Sequence, residues 1–344
     1  MNPTKSKGNE ILKRVLGILI IPVLCFGIME LVCLGNGTTI FTGSTTFGLF
    51  CRGTVTTLLL SFGVSINMHT GRFDFSTGAT MIFGGICGAI LSKSTGLGPV
   101  GMVVFSVLFA ALAGAITGIL YVVLNLPPMI IGLGMTLILE GVTAIITNGC
   151  QRVTLIEGGY YEFSVNPVPL LIIALIALAI MVYVFHYTKF GYDYRSLQTG
   201  QKIAVNTGVN EKKNAVICYI IAGAMFGGAG ALTMCVGNGY TPTYNFSTIS
   251  LMFGCFLPLF FSGFVGKFCN KQIAITISCI AYEFIQIGYG QIRAVNAGLT
   301  TELQSVIDAL ILVLFLIYIN NETQIIEFVM LKNHLKKNQV EQKN

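Results

Sequence analysis

The sequence predicts an all-α polytopic membrane protein with about ten transmembrane helices. Of its 344 residues, 54% are hydrophobic and 10% are charged, whereas soluble domains carry about 25% charged residues. The apolar residues form runs of about 20 residues, the length that an α-helix needs to cross the hydrocarbon core of a bilayer. These runs cover residues 15–34, 46–66, 75–92, 99–124, 129–148, 169–188, 214–236, 248–265, 272–290 and 304–320.

The basic residues of the loops predict how these helices are oriented. Short loops rich in Lys and Arg are retained on the cytoplasmic side during membrane insertion. If the N-terminus is cytoplasmic, alternating spans leave only Lys93, Arg152 and Arg293 in the outer loops. We therefore predict a cytoplasmic N-terminal tail (1–14), a membrane domain (15–320) with a cytoplasmic central loop (189–213), and a cytoplasmic C-terminal tail (321–344). The first span should be retained, because it lacks a clear small-residue cleavage site.

Composition argues against several kinds of chemistry. The ten cysteines are dispersed without Cys-x-x-Cys spacing and the three histidines are scattered, so no disulfide framework, metal site or cofactor is predicted. The segment nearest to a phosphate-binding loop, residues 263–267, has the wrong spacing and lacks the hydroxyl residue. No catalytic residue is predicted, and ATP hydrolysis would need another chain. The net charge of +6 is a topology signal that requires no nucleic-acid partner.

Polar and basic residues dominate the stretch 186–213, between two membrane-length runs. Apolar residues among them favour a short amphipathic helix that is offered to a cytosolic partner. From Arg195 to Val209 the sequence resembles permease subunits of ATP-binding-cassette (ABC) importers, in the branch for ribose and other simple sugars, nucleosides and branched-chain amino acids. The positions that fit the family pattern are Arg195, Ala204, Thr207, Gly208 and Val209. Gly200, Lys202 and Ile203 depart from it, and Lys202 stands where an acidic residue is usual.

Two further segments resemble the same family. Gly71 to Gly78 is similar to its Gly-x-Asp-Leu-Ser-x-Gly signature, with Asp74, Ser76 and Gly78 on matching positions. Asp74 or Ser76 can cap the start of span three, and direct contact with a transported solute is the alternative. Leu126-Pro127-Pro128, followed by Gly132 and Gly134, resembles a Leu-Pro-Pro segment of the family. The proline pair should begin span five, and the glycines should let another helix or a ligand approach closely.

A short sequence recurs in the two halves of the chain. Phe75-Ser76-Thr77 followed by Met81 recurs as Phe246-Ser247-Thr248 followed by Met252. Four identities leave chance and duplication both open. The resemblance favours duplication, because it implies a five-plus-five inverted repeat with the substrate route near the repeat interface. Gly114-x-x-x-Gly118 and Gly223-x-x-x-Gly227 predict packing surfaces on spans four and seven.

The charged residues Arg52, Glu140, Glu283 and Asp308 lie inside apolar spans. A charge in the hydrocarbon region is costly and marks a candidate functional residue. We hypothesise that Glu140 pairs with Arg52 inside the bundle. The alternative is that the long side chain of Arg52 reaches the membrane interface.

The resemblance covers roughly residues 46–320 and implies the permease of a bacterial ABC importer in the plasma membrane, carrying a simple sugar such as ribose, or a nucleoside. It implies as partners two cytosolic ATPase subunits, a second permease that is identical or different, an extracellular solute-binding protein and membrane lipid. Coupling to the ATPase would fall to Arg195, Lys202, Ala204, Thr207 and Gly208. The helix break or solute pathway would fall to Gly71, Asp74, Ser76, Gly78, Pro127 and Pro128.

Two other classes of protein compete with this interpretation. A stand-alone ion- or proton-coupled transporter requires several buried acidic groups along one pathway, and only Glu140 and Glu283 qualify. A membrane-embedded enzyme requires a nucleophile, a base and an orienting partner at usable spacing, and none is found.

The longest outer loop, from Asn148 to Pro169, contains Glu157, Tyr160, Tyr161 and Glu162. Aromatic and charged residues are common at protein contacts, so we predict that this loop helps to dock the solute-binding protein. The alternative is a flexible connector.

Overall fold

The computed structural model describes residues 3–156, 158–235, 239–296 and 298–320, and these are mostly helical. The chain divides into two compact units, Met1–Val295 and Asn296–Asn344. The first half of the larger unit contains α1 (Pro3–Gly35), α2 (Ser44–Met68), α3 (Thr77–Thr95), α4 (Gly98–Leu124), α5 (Pro128–Ile146), β1 (Val153–Thr154), α6 (Tyr160–Val165) and α7 (Pro167–Tyr187).

The second half of that unit begins with two short helices, α8 (Lys189–Thr199) and α9 (Gln201–Asn206). They are followed by α10 (Glu211–Met234), β2 (Gly239–Tyr240), a 3₁₀ turn (Ser247–Ile249), α11 (Ser250–Phe253), α12 (Phe256–Val265) and α13 (Lys271–Val295). The described part of the smaller unit contains α14 (Thr301–Asn320).

The ten predicted apolar runs coincide with helices, which confirms an all-α membrane protein. Within the described residues, eight helical stretches are long and apolar enough to cross a membrane. The two predicted spans outside this set are α3 and α14. Most of α3 is buried among other helices, so it needs little apolar surface towards lipid. The count of ten, the inverted repeat and the cytoplasmic termini stay predictions, and the C-terminal tail 321–344 lies outside the described residues.

Glycines bring α4 and α10 into close contact. Gly114 and Gly118 of α4 lie against Tyr219 of α10, while Gly223 and Gly227 of α10 lie against the carbonyl groups of Ala110 and Ser106. A Cβ atom at Gly114, Gly223 or Gly227 would overlap the partner backbone. The two predicted small-residue surfaces therefore pack against each other.

Helix α3 joins this pair through its own glycines. A Cβ on Gly84 would lie 2.7 Å from the Cβ of Ala110, and one on Gly85 would lie 2.8 Å from the carbonyl oxygen of Gly230. Because lipid supplies no hydrophobic driving force between helices, such close backbone packing is a main source of their association. The three helices α3, α4 and α10 form the centre of the bundle.

The predicted eighth span is broken in the structure. Its residues form the 3₁₀ turn and α11, then turn at Gly254 and Cys255 before α12 begins at Phe256. Pro258 accounts for part of this break, because a continuous helix would need a hydrogen bond from its nitrogen to the carbonyl of Gly254. Because Pro258 lies in the first turn of α12, where amide groups have no partner within the helix, its missing donor breaks no hydrogen bond of α12.

The outer loop Asn148–Pro169 has structure of its own. Strand β1 pairs antiparallel with β2, Val153 opposite Tyr240, and α6 follows. The hydroxyl of buried Tyr160 lies 3.1 Å from that of Ser92, and Lys93 donates to the carbonyl of Thr154 at 3.2 Å. The loop is thus held to α3 and β2, while Glu157 lies outside the described residues.

Replacing Gly227 by Ala should lower the melting temperature, whereas Gly141→Ala should not. Ala is the better helix former at both positions by roughly 1 kcal/mol. At Gly227 the new methyl group would overlap the Ser106 carbonyl, and such overpacking costs about 1–3 kcal/mol. No atom lies within 4 Å of a Cβ at Gly141. Thermal unfolding in detergent, followed by circular dichroism, compares the two; equal melting temperatures would contradict the packing described for α4 and α10.

Candidate functional site

One face of α5 contacts the first copy of the repeated motif. Gly132, Thr136 and Glu140 are spaced by four residues and share this face, which we call the α5 stripe. A Cβ on Gly132 would lie 2.6 Å from the amide nitrogen of Phe75 and 2.7 Å from Asp74 Oδ1. The Thr136 hydroxyl lies 3.1 Å from the carbonyl oxygen of Phe75. Helix α5 begins at Pro128, as predicted, with Pro127 preceding it in an extended conformation.

The same stripe contacts the second copy through Glu140. One carboxylate oxygen accepts the amide of Phe246 at 2.9 Å. The other accepts the amide of Thr248 at 3.0 Å and its hydroxyl at 2.6 Å. Glu140 is 3% exposed, and these three donors satisfy its charge in place of water. The carboxylate also holds Phe246 in a left-handed conformation, with a φ of 62° that is unfavourable for a bulky residue.

The two motif copies also touch each other directly. A Cβ on Gly78 would overlap the carbonyl group of Thr248, so only glycine fits there without displacement. We call this region, formed by Asp74–Gly78, Phe246–Thr248 and the α5 stripe, the motif crossing. It lies where α3 begins and where the broken helix begins.

Each motif copy has a carboxylate at its helix start. Asp74 Oδ1 accepts the amide of Ser76 at 2.9 Å and its hydroxyl at 2.8 Å, closing the turn before α3. Burial raises the pKa of Asp74, and the two hydrogen bonds from Ser76 oppose this rise. At the equivalent position the second copy has Asn245. Glu140, from another helix, supplies the carboxylate that the second copy lacks.

The hypothesis that Glu140 pairs with Arg52 is wrong. Both oxygens of Glu140 are engaged by the second motif copy. Arg52 instead lies within electrostatic range of Glu283, whose carboxylate packs against the backbone of Gly53. Sequence spacing could not identify this neighbour, because α2 and α13 are far apart along the chain.

The central loop forms two short helices of different exposure. On α8 the buried residues are Gly191, Tyr194 and Leu197, and the Tyr194 hydroxyl donates to the carbonyl of Ile66 at 2.9 Å. The Arg195 guanidinium lies over the Tyr192 ring, 4.6 Å from its centroid. On α9, Lys202 and Thr207 are exposed, as is Ile203.

The structure places the side chain of Ala204 in the interior and Gly208 at the end of a helix. Ala204 is 3% exposed, so its side chain faces the chain's own interior and not a surface that a partner can reach. Gly208 has a φ of 95° just after α9, and its amide donates to the carbonyl of Val205 at 3.0 Å. This is the geometry of a glycine that ends a helix.

The sequence did not predict a network that extends from buried Arg72 to the surface of the central loop. Arg72 is 3% exposed, and its guanidinium lies 3.7 Å from a Glu211 carboxylate oxygen, 3.3 Å from the Thr70 hydroxyl and 5.8 Å from the centre of the Tyr121 ring. The Gln201 amide donates to the same Glu211 oxygen. The Arg72–Glu211–Gln201 network thereby joins α9 and α10 to the segment that leads into the motif crossing. Its one signal in the sequence is an Arg inside the Gly71–Gly78 motif.

Within the described residues, no cluster of three or more His, Cys, Asp or Glu side chains could hold a metal ion. The arrangement offers backbone groups, hydroxyls and two buried carboxylates whose hydrogen bonds are made inside the protein. Such a site suits helix positioning and conformational change.

The family model and the relatives that match this chain all describe permease components of transporters. A family model described as branched-chain amino acid transport system / permease component matches residues 45–316. The ribose import permease protein of Escherichia coli is 25% identical over 199 residues, which are 54% of this chain and 60% of that protein. The nucleoside ABC transporter permease protein of Lactococcus lactis is 26% identical over 144 residues, 41% of this chain and 36% of that protein.

A third relative has another sugar in its name. The galactofuranose transporter permease protein of Escherichia coli is 29% identical over 173 residues, 48% of this chain and 49% of that protein. The chain thus spans between about a third and three fifths of the length of these relatives.

Removing the Glu140 carboxylate should destabilise the protein in a graded way. Glu140→Ala leaves the buried amide of Thr248 unsatisfied, at about 1–3 kcal/mol, and also removes the acceptor of the partly buried Phe246 amide. Thr248→Val removes only one hydroxyl donor, and we expect a loss of about 1 kcal/mol. Urea unfolding in detergent, followed by circular dichroism, measures both losses. A Glu140→Ala protein as stable as Thr248→Val would contradict the role assigned to this carboxylate.

Proposed function

Because the chain belongs to the family of branched-chain amino acid transport system permease components, we propose that it is the membrane-spanning permease of an ABC importer. The observation that carries the proposal is that the family match at residues 45–316 includes both the motif crossing and the central loop. The names of the relatives point to a simple sugar, such as ribose, or a nucleoside as the solute. In this proposal the protein resides in the bacterial plasma membrane.

The buried charges favour this proposal over a proton- or ion-coupled transporter working alone. Coupling to ions requires acidic groups that bind and release a cation along the pathway. Glu140 already accepts three hydrogen bonds from protein groups, and Glu283 lies in the electrostatic range of Arg52. A neutral solute that crosses with weak affinity needs few polar groups, and an external solute-binding protein would supply the selectivity.

The partners proposed are two cytosolic ATPase subunits, a second permease subunit and the solute-binding protein. Helices α8 and α9 are the proposed contact with the ATPase. Ile203, which is 72% exposed, offers the apolar side chain of this contact, flanked by Lys202 and Thr207. Ala204 and Gly208 have a supporting part here, because they shape α9 and its end.

The Arg72–Glu211–Gln201 network is the proposed route from the ATPase to the motif crossing. A displacement of α9 would act on Gln201 and Glu211 and, through the ion pair, on Arg72, whose side chain is buried. Arg72 directly precedes the segment that contains Asp74 and Gly78. Energetic coupling between distant sites requires an element with two arrangements, and the broken helix that meets Gly78 is the proposed element.

The outer loop is the proposed contact with the solute-binding protein. Its attachment to α3 and β2 presents a fixed surface, on which Ile156 is 73% exposed and Tyr161 is 41% exposed. Tyr160 is buried and fixes the loop, so Tyr161 and Ile156 replace it in the proposed contact.

Purified protein, reconstituted in proteoliposomes with its ATPase, should import radiolabelled ribose or a nucleoside only when ATP and the solute-binding protein are both present. An ionophore that collapses ion gradients should leave the rate unchanged. An ATPase variant whose phosphate-loop lysine is replaced should abolish uptake. Uptake that proceeds without the ATPase and stops with the ionophore would overturn the proposal in favour of an ion-coupled transporter.

Substitutions of two equally exposed isoleucines distinguish the two proposed docking surfaces. Ile203→Asp should abolish recovery of the ATPase in a pull-down and leave binding of the solute-binding protein unchanged. Ile156→Asp should do the reverse, because burying a lone carboxylate in an apolar contact costs several kcal/mol. Each variant is the control for the other, since their exposures are 72% and 73%. If both variants bind both partners normally, the two surfaces are assigned wrongly.

A further inference from the structure

A cavity of about 110 Å³ lies where helix α8 meets the bundle. It is formed at the end of α2, the end of α7, the start of α13 and one side of α8. Its polar lining includes His69, His186, Gln198, Lys271 and Gln272, and its apolar lining includes Ile66, Met181, Phe185 and Ile275. We call it the basic cavity. A single water needs only about 10–15 Å³ of such space, so the cavity has room for a small polyatomic ion.

The charge of the lining is positive and uncompensated. Lys271 carries an ammonium group, Arg195 contributes to the rim, and none of the residues that line the cavity is acidic. Among the described residues, neither Lys271 nor Arg195 forms an ion pair with a carboxylate. Lys271 is also the first residue of a helix of 25 residues, whose N-terminal end attracts anions.

The neighbouring polar groups offer hydrogen-bond donors that an anion could use. His186 Nε2 lies 3.0 Å from Gln272 Oε1, which leaves the NH₂ group of Gln272 as a donor. His69 Nδ1 lies 2.6 Å from the carbonyl oxygen of Ser65 and therefore carries a proton there. Burial, with a smaller contribution from Lys271, lowers the pKa of His69 to about 4. Lys271 thus acts on His69 as a nearby positive charge.

We propose that the basic cavity binds a phosphate-bearing anion, with Lys271 as its main charge partner and Gln272 as a hydrogen-bond donor. The sources of this chemistry are an anionic lipid headgroup and free phosphate. The cavity lies at the ends of membrane-length helices, where a lipid headgroup would be expected, and most of the surface that lines it is apolar. An occupant would link α8 to α2, α7 and α13, and so fix α8 against the bundle.

This proposal goes beyond the proposed function, and its test needs neither ATPase nor transport. The melting temperature of the purified full chain in neutral detergent is measured with increasing inorganic phosphate, and chloride keeps the ionic strength constant. In a second arm, the protein is placed in nanodiscs of phosphatidylcholine with or without phosphatidylglycerol. A saturable rise with phosphate identifies free phosphate as a ligand, whereas a rise with phosphatidylglycerol alone identifies the lipid headgroup.

Variants of one residue connect either rise to the cavity. Lys271→Gln should weaken binding roughly ten- to a hundredfold, the effect of losing one charged hydrogen bond, and Lys271→Arg should retain it. Lys212→Gln is the matched control, because Lys212 is exposed, as Lys271 is, but does not line the cavity. If Lys271→Gln is itself poorly folded, Gln272→Leu provides the same comparison. The proposal is overturned if neither ligand raises the melting temperature, or if the rise is equal in wild type, Lys271→Gln and Gln272→Leu.

Discussion

The contact of one face of α5 with both copies of the repeated motif is the interaction on which the rest of the structure depends. A buried carboxylate is tolerated only when hydrogen bonds replace its hydration. Glu140 meets this condition with two backbone amides and one hydroxyl of the second copy. Two turns earlier on the same face, Gly132 lets the first copy approach within contact distance. The stripe therefore fixes the start of α3 and the start of the broken helix relative to one another.

The surrounding helices differ in how strongly they depend on this contact. The glycine contacts among α3, α4 and α10 form a rigid centre, whereas the broken helix consists of short pieces that meet this centre through Gly78 and Thr248. Short helical pieces are marginal by themselves, so their arrangement depends on contacts such as the one with Glu140. The Arg72–Glu211–Gln201 network approaches the same region from the central loop. The rigid centre, the dependent segment and the Arg72–Glu211–Gln201 network are the parts that the proposed transport by alternating access requires.

The sequence predicted the helices and part of the site for clear physical reasons. Long apolar runs identify membrane helices regardless of their neighbours, and the small-residue spacings of α4 and α10 identify packing faces. The turn of Asp74 and Ser76 was also predictable, because its hydrogen bonds span two residues. The partners of Glu140 lie 106 and 108 residues away, and no local pattern encodes such a contact. Burial of Ala204 and exposure of Ile203 likewise depend on how α9 lies on the protein, which its six residues do not specify.

The proposed route from the ATPase to the motif crossing is tested most directly by the number of solute molecules imported per ATP hydrolysed when Glu211→Gln breaks the ion pair with Arg72. Stability alone cannot test the link, because Glu211 also stabilises the start of α10 by about 0.3–1 kcal/mol through the helix dipole. Lys213→Gln, an exposed change two residues along, is the control. We expect that the Glu211→Gln protein still binds the ATPase and still permits ATP hydrolysis, but imports fewer molecules per ATP than wild type or Lys213→Gln. An unchanged ratio would contradict the proposed route.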